Sequence, residues 1–152
     1  MCWNVRELND GAKRASVRTQ IISSRVTVVC LQETKISNWT HSHLVDTVGT
    51  EMASNAIFLP SVGVCGGILI AVSERFFTLT QPHLTTNTVT TKLTMLAENK
   101  EWSISGVYGP QNDADKILFL QEILDLCQHM LPTWLLLGDF NLILNAQEKN
   151  NN

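Results

Sequence analysis

The stretch Val26-Thr27-Val28-Val29-Cys30-Leu31, followed by Gln32-Glu33-Thr34-Lys35, decides how this chain is read. Six residues rich in β-branched side chains, without alternation of polar and apolar, mark a strand covered on both faces. The switch to Gln-Glu-Thr-Lys puts polar groups at that strand's end, where packing does not call for them. A strand covered on both faces belongs in a layered domain, with strands sandwiched by helices.

On the N-terminal side, residues 2–5 read as a short strand, and Asn9 or Asp10 can cap a helix running to about Ser24. In that helix Ala12, Ala15, Ile21 and Ile22 are expected to turn inward, with Lys13, Arg14 and Arg18 outward. On the C-terminal side the chain is β-rich: residues 56–59, 67–72, 76–80, 89–96 and 102–108 read as strands joined by turns, which suggests antiparallel pairing. Residues 114–130 return to a helical period, with Ile117, Leu118, Leu120, Ile123, Leu124, Cys127 and Leu131 as a broad apolar face. Pro132 ends that helix, and residues 133–137 form a last short strand that Gly138 should stop. The expected class is α/β (α+β), with layered strands and helices.

Composition supports a packed chain. Of 152 residues, 44% are hydrophobic and 16% charged, spread throughout, which excludes a disordered or low-complexity protein. No run approaches the roughly 18 apolar residues of a membrane-spanning helix. Arg6, Glu7, Asp10, Lys13 and Arg14 occupy the place of a signal peptide's apolar core, so no secretory leader and no membrane partner are expected. The net charge of −3 is uneven: residues 1–35 hold six bases against three acids, the remainder five against eleven. A basic N-terminal face could meet phosphate or be only a solvated helix face. Cys2, Cys30, Cys65 and Cys127 lie far apart without a CxxC pair, and read as reduced core thiols of an intracellular protein. His41-Ser42-His43 reads as a pair in a loop, and Asp113-Ala114-Asp115 as a helix start.

Several strands run into polar residues: Asn4 after Cys2-Trp3, Glu33 after Leu31-Gln32, Tyr108 after Gly106-Val107, and Asp139 and Asn141 after Leu137-Gly138. If these strands share a sheet edge, the five converge where open sheets bind ligands. Two carboxylates with amide oxygens suit a hard divalent ion, and phosphate-ester hydrolysis needs a metal, a carboxylate for the water, and neutral donors for the developing charge. Spacing alone leaves open a solvated turn at Glu33 and a capped turn at Asp139.

Five motifs occur in order: WNVRELN at 3–9, LQETK at 31–35, GGILIAV at 66–72, VYGP at 107–110, and LLLGDFNLIL at 135–144 followed by Glu148-Lys149. Together they resemble the endonuclease/exonuclease/phosphatase superfamily, most closely the endonuclease domain of plant non-LTR (LINE-type) retrotransposons. The resemblance implies a four-layer α/β/β/α sandwich, of which residues 1–152 would be the N-terminal portion of a single domain. It implies Mg²⁺ or Mn²⁺ as cofactor and the phosphate backbone of DNA as partner, with the nucleus as the place of action. Glu33 would bind the metal with Asn4 beside it, Asn4 also holding phosphate or metal-bound water. Tyr108 would contact the scissile phosphate, Asp139 would orient or deprotonate the nucleophilic water, and Asn141 would stabilise the transition state.

Two departures accompany the resemblance. The strand-end Asp-His pair of the family does not follow the GDFN motif, and His41, His43, His83 and His129 do not replace it, so weak or absent turnover is expected. Glu7 stands where the resembling proteins usually have Gly. Apolar surface belonging against the rest of such a domain is expected to be exposed. The alternatives are an abasic-site nuclease or phosphatase of the same superfamily, and a non-catalytic retrotransposon remnant or interaction module.

Overall fold

A computed structural model describes residues 1–63 and 66–143, so Cys65, Leu144, Glu148, Lys149 and the Asn150-Asn151-Asn152 tail lie outside the described residues. In chain order the elements are β1 (Cys2–Asn4), α1 (Gly11–Ser23), β2 (Val28–Gln32), α2 (His41–Val48), α3 (Thr50–Ala53), β3 (Ala56–Leu59), β4 (Ile68–Val72), β5 (Phe77–Leu84), β6 (Thr88–Met95), β7 (Lys100–Tyr108), α4 (Asp113–Cys127) and β8 (Trp134–Asp139). The strands form two four-stranded sheets, β1-β2-β4-β3 and β5-β6-β7-β8. The edge strands β1 and β8 run parallel to β2 and β7, and the remaining pairs are antiparallel.

The side-chain period of two in a strand explains why β2 and β4 carry unbroken apolar runs. Val29, Leu31, Leu69 and Ala71 pack outward against Val17 and Ile21 of α1, Leu44 and Val48 of α2, and Met52 of α3. The alternate residues Cys30, Ile68 and Ile70 pack inward with Val89, Leu137 and Tyr108 of the second sheet. Val72, Leu93 and Ile104 continue the core between the sheets. Gly106 permits the close approach of the two sheets: a Cβ there would lie 2.8 Å from Cys30 Sγ and 2.9 Å from Ile68 Cγ2. The helix α4 lies against the other face of the second sheet, giving α/β/β/α layers.

α4 is tied to the β5–β6 turn by one carboxylate. Glu122 accepts from the Asn87 backbone N–H at 3.0 Å, the Asn87 amide at 2.8 Å, and the Thr85 hydroxyl. The strand β5 reaches Leu84, beyond the expected end at Thr80. A register shift between Thr80 and His83 absorbs Gln81, whose φ is +53°, and Pro82, which an edge strand tolerates.

Four expectations are corrected. In α1, Val17 and Ile21 are the buried residues, while Ala12, Ala15 and Ile22 are exposed, because the helix touches the sheet along one narrow stripe. Arg14 is drawn inward: its guanidinium donates to the carbonyls of Leu8 and Asn9 at 2.8 and 2.9 Å and pairs with Asp46 at 3.8 Å. His41 and His43 open the helix α2, where the Thr40 hydroxyl caps by accepting from His43 N–H at 3.1 Å. In α4 the inward residues are Phe119 and Leu126, and Ile117, Leu118, Leu120 and Leu124 stand in solvent. The sheet face beneath α4 is rich in Thr90, Ser103 and Ser105, and between them runs a groove of about 860 Å³.

Candidate active site

The two edge strands bring the candidate residues into contact. Asn4 ends β1 on the first sheet and Asp139 ends β8 on the second, and the Asn4 amide donates to Asp139 Oδ2 at 3.0 Å. Asn4 Oδ1 in turn accepts from the Arg6 backbone N–H at 3.1 Å, which orients the amide. Gly138 does not stop β8: the strand continues to Asp139, paired in register with Tyr108.

Asp139 is held from a second side. The backbone N–H of Asn141 donates to Asp139 Oδ1 at 3.1 Å, and the Asn141 side-chain amide donates to the Gly109 carbonyl at 2.7 Å. Gly109 N–H donates to the Asp139 carbonyl at 2.8 Å. This knot requires both glycines. A Cβ at Gly109 would lie 2.1 Å from the Phe140 carbonyl oxygen, and one at Gly138, whose φ is +151°, 1.9 Å from the Val107 oxygen. The GP and GD glycines therefore let the ends of β7 and β8 close on each other.

The other three motifs are knitted together in the same way. Val5 N–H donates to the Gln32 carbonyl at 3.0 Å and Leu8 N–H to the Thr34 carbonyl at 2.8 Å. The Thr34 and Lys35 N–H groups donate to the Gly67 and Gly66 carbonyls, each at 3.1 Å. A Cβ on Gly67 would lie 2.4 Å from Thr34 Oγ1, so the glycine makes room for the turn that follows β2. In that turn Glu33 and Lys35 both have φ of +55°. Glu7 has φ of +121°, in a region that favours glycine.

Asn4, Asp139 and Asn141 thus form one hydrogen-bonded set. Tyr108 packs at its margin against the inter-sheet core with Cys30, Ile68 and Val89. Glu33 lies one residue beyond Gln32, the register partner of Asn4. Its polar partner among the described residues is Lys35, whose Nζ stands 3.3 Å from Glu33 Oε1, rather than Asn4 or Asp139. Among the described residues no group of three or more His, Cys, Asp or Glu is gathered around a common point.

The donor set fits a hard divalent ion such as Mg²⁺, which takes one or two carboxylates and fills its shell with water or phosphate oxygens. Glu33 would supply the carboxylate and Asn4, on the adjacent strand, an amide oxygen. Asp139, already held by two N–H donors, is placed to accept a proton. Asn141 and Tyr108 bring an amide and a phenol to the same strand ends. The sequence did not reveal Lys35 as the partner of Glu33, nor the glycine pair that closes the site. The LQETK and GDFN motifs contain those residues but not their contacts.

The fold has solved counterparts. A functionally unknown conserved protein from Enterococcus faecalis is 15% identical, with a TM-score of 0.71 over 92% of this chain and 65% of that one. The human Nocturnin catalytic domain with bound sulfate is 15% identical, with a TM-score of 0.67 over 93% of this chain and 63% of that one. Danio rerio TDP2 complexed with single-strand DNA product is 17% identical, with a TM-score of 0.61 over 93% of this chain and 59% of that one. The chain therefore spans less than two thirds of the length of each. No curated protein matches the sequence significantly. The model of the endonuclease/exonuclease/phosphatase family matches residues 1–151.

Proposed function

Since the chain belongs to the endonuclease/exonuclease/phosphatase family, we propose that its strand-end site is a metal-dependent phosphodiesterase site acting on the DNA backbone. The observation that carries this reading is the Asn4–Asp139 hydrogen bond at 3.0 Å, joining the edge strands of both sheets through two residues that packing alone does not require.

In this reading Asp139 orients the attacking water and takes its proton, while Asn4 and the Asn141 N–H keep the carboxylate aimed. The Asn141 amide and the Tyr108 hydroxyl stabilise charge on the phosphate oxygens. Glu33, with Asn4, would hold Mg²⁺ or Mn²⁺, and the ion would supply neutralisation of a phosphate oxygen. Until then Lys35, 3.3 Å away, is the ion-pair partner of Glu33.

The motif order supports placing the chain with the endonuclease domains of plant LINE-type retrotransposons, as the N-terminal portion of such a domain, with a nuclear place of action. His41 and His43 open α2, His83 lies in β5 and His129 follows α4, so none stands at a strand end beside Asp139. These 152 residues by themselves therefore turn over slowly or not at all.

The experiment is nicking of supercoiled plasmid in Mg²⁺ and in EDTA, with Glu33→Ala and Asp139→Ala as controls, alongside a phosphomonoester substrate. Nicking that survives both substitutions refutes the site. Efficient nicking abolished by them refutes the slow-turnover reading. Phosphomonoester hydrolysis without nicking moves the assignment to a phosphatase. A paired calorimetric titration with Mg²⁺ should lose binding in Glu33→Ala, and unchanged binding refutes Glu33 as the ligand.

A further inference from the structure

Two thiols distant in sequence meet on the first sheet. Cys2 of β1 is the register partner of Cys30 of β2. Adjacent strands lie about 4.8 Å apart, within the roughly 4.4–6.8 Å between Cα atoms that a disulfide bridges. Both side chains point to the same side, because one Gln32 amide nitrogen donates to Cys2 Sγ at 3.3 Å and to Cys30 Sγ at 3.0 Å. Cys2 is exposed and Cys30 is buried. This corrects the expectation of separate core thiols: two of them meet, and Cys2 and Cys127 are exposed.

The environment gives the two sulfurs different characters. Cys2 lies exposed on the edge strand, while Cys30 is enclosed between the sheets with Ile68, Ile70 and Val89, its Sγ facing the Leu137 carbonyl at 3.8 Å. An accessible thiol therefore stands beside an enclosed one.

We propose that Cys2 and Cys30 are an oxidisable pair, with Cys2 the peroxide-reactive thiol and Cys30 the resolving thiol that closes a reversible disulfide between β1 and β2. In the first step the Cys2 thiolate attacks one peroxide oxygen. The O–O bond breaks, hydroxide leaves and takes up a proton as water, and Cys2 becomes a sulfenic acid. In the second, Cys30 sulfur attacks the Cys2 sulfur. The S–S bond forms, the S–O bond breaks, and the hydroxyl leaves as water with the Cys30 proton. Two thiols are oxidised and one hydrogen peroxide is reduced to two waters. The pair does not depend on the hydrolase reading, although Cys2 and Asn4 share one face of β1.

The test treats the purified chain with hydrogen peroxide at pH 7, then denatures, alkylates with iodoacetamide and maps peptides by mass. The expected product links the Cys2 and Cys30 peptides with loss of two hydrogens, returns to free thiols with dithiothreitol, and leaves Cys127 alkylated. In the native reduced chain, iodoacetamide should label the exposed Cys2 at least tenfold faster than the buried Cys30. Cys30→Ser should leave Cys2 as a sulfenic acid that dimedone traps. Because Cys30 is a core residue, the wild-type peptide map decides independently of that variant. Free Cys2 and Cys30 after peroxide, a link from either to Cys127, or native labelling of Cys30 as fast as Cys2 would overturn the proposal.

Discussion

Replacing Glu7 with glycine isolates one strained position beside the candidate site. Glu7 has φ of +121°, and a side chain held in so sparsely populated a region costs about 1–3 kcal/mol. Its carboxylate returns little, with one contact to the Asn9 amide at 3.5 Å on the surface. Glycine removes the strain and adds about 0.5–1 kcal/mol of backbone entropy to the unfolded chain. The net expectation is stabilisation of roughly 0.5–2 kcal/mol. For a domain of about 150 residues that is roughly 1–8 °C in Tm. Urea unfolding followed by circular dichroism should show a higher midpoint with an unchanged slope. Glu7→Ala is the control: it deletes the charge but keeps the Cβ, and should stay within about 0.5 kcal/mol of the parent. Equal gains from alanine and glycine would put the effect on charge. A loss from glycine would refute the strain argument altogether.

Phe119→Ala, at a fully buried residue of α4, should cost about 3–5 kcal/mol by denaturant midpoint. Gly138→Ala should destabilise more than the ordinary 0.5–3 kcal/mol of a point change, since its Cβ would lie 1.9 Å from a backbone oxygen; thermal unfolding reads this directly. Glu122→Ala should free the β5–β6 turn, and the Asn87 backbone N–H, which donates to Glu122 at 3.0 Å, should then exchange hydrogen at least tenfold faster. Asn141→Ala removes the 2.7 Å bond to the Gly109 carbonyl, so any Mg²⁺-dependent nicking should fall, with a stability cost of about 1 kcal/mol by urea midpoint.

The sequence was most readable where one residue's environment follows from its neighbours. The run at 26–31 announced a strand covered on both sides, and β2 is buried between three helices and a second sheet. Asp10 caps α1, as its position before the helix implied, by accepting from Ala12 N–H at 2.9 Å. It was least readable where tertiary contact decides. Ile117, Leu118, Phe119 and Leu120 are four successive apolar residues, so periodicity could not say that Phe119 alone would be buried among them. Helix α2 spans eight residues, too few for its period to stand out, and its Thr40 cap was the overlooked cue. The motifs located Asn4, Asp139 and Asn141. Their hydrogen bonds, and the pairing of Cys2 with Cys30, follow from strand register, which no local pattern encodes.

The Asn4–Asp139 contact joins residues 135 positions apart. During synthesis from the N-terminus at about 5–20 residues per second, Asn4 is made roughly 7–27 seconds before its partner. A contact with that sequence separation also carries a large loop-closure cost, so it closes late in folding. Until β8 is made and docked, β1 borders an open edge and the candidate site has only one of its walls. Assembly of the site is therefore timed by β8, and a pause in translation before Trp134 would hold the nascent chain in a form that has β1 to β7 but not this site.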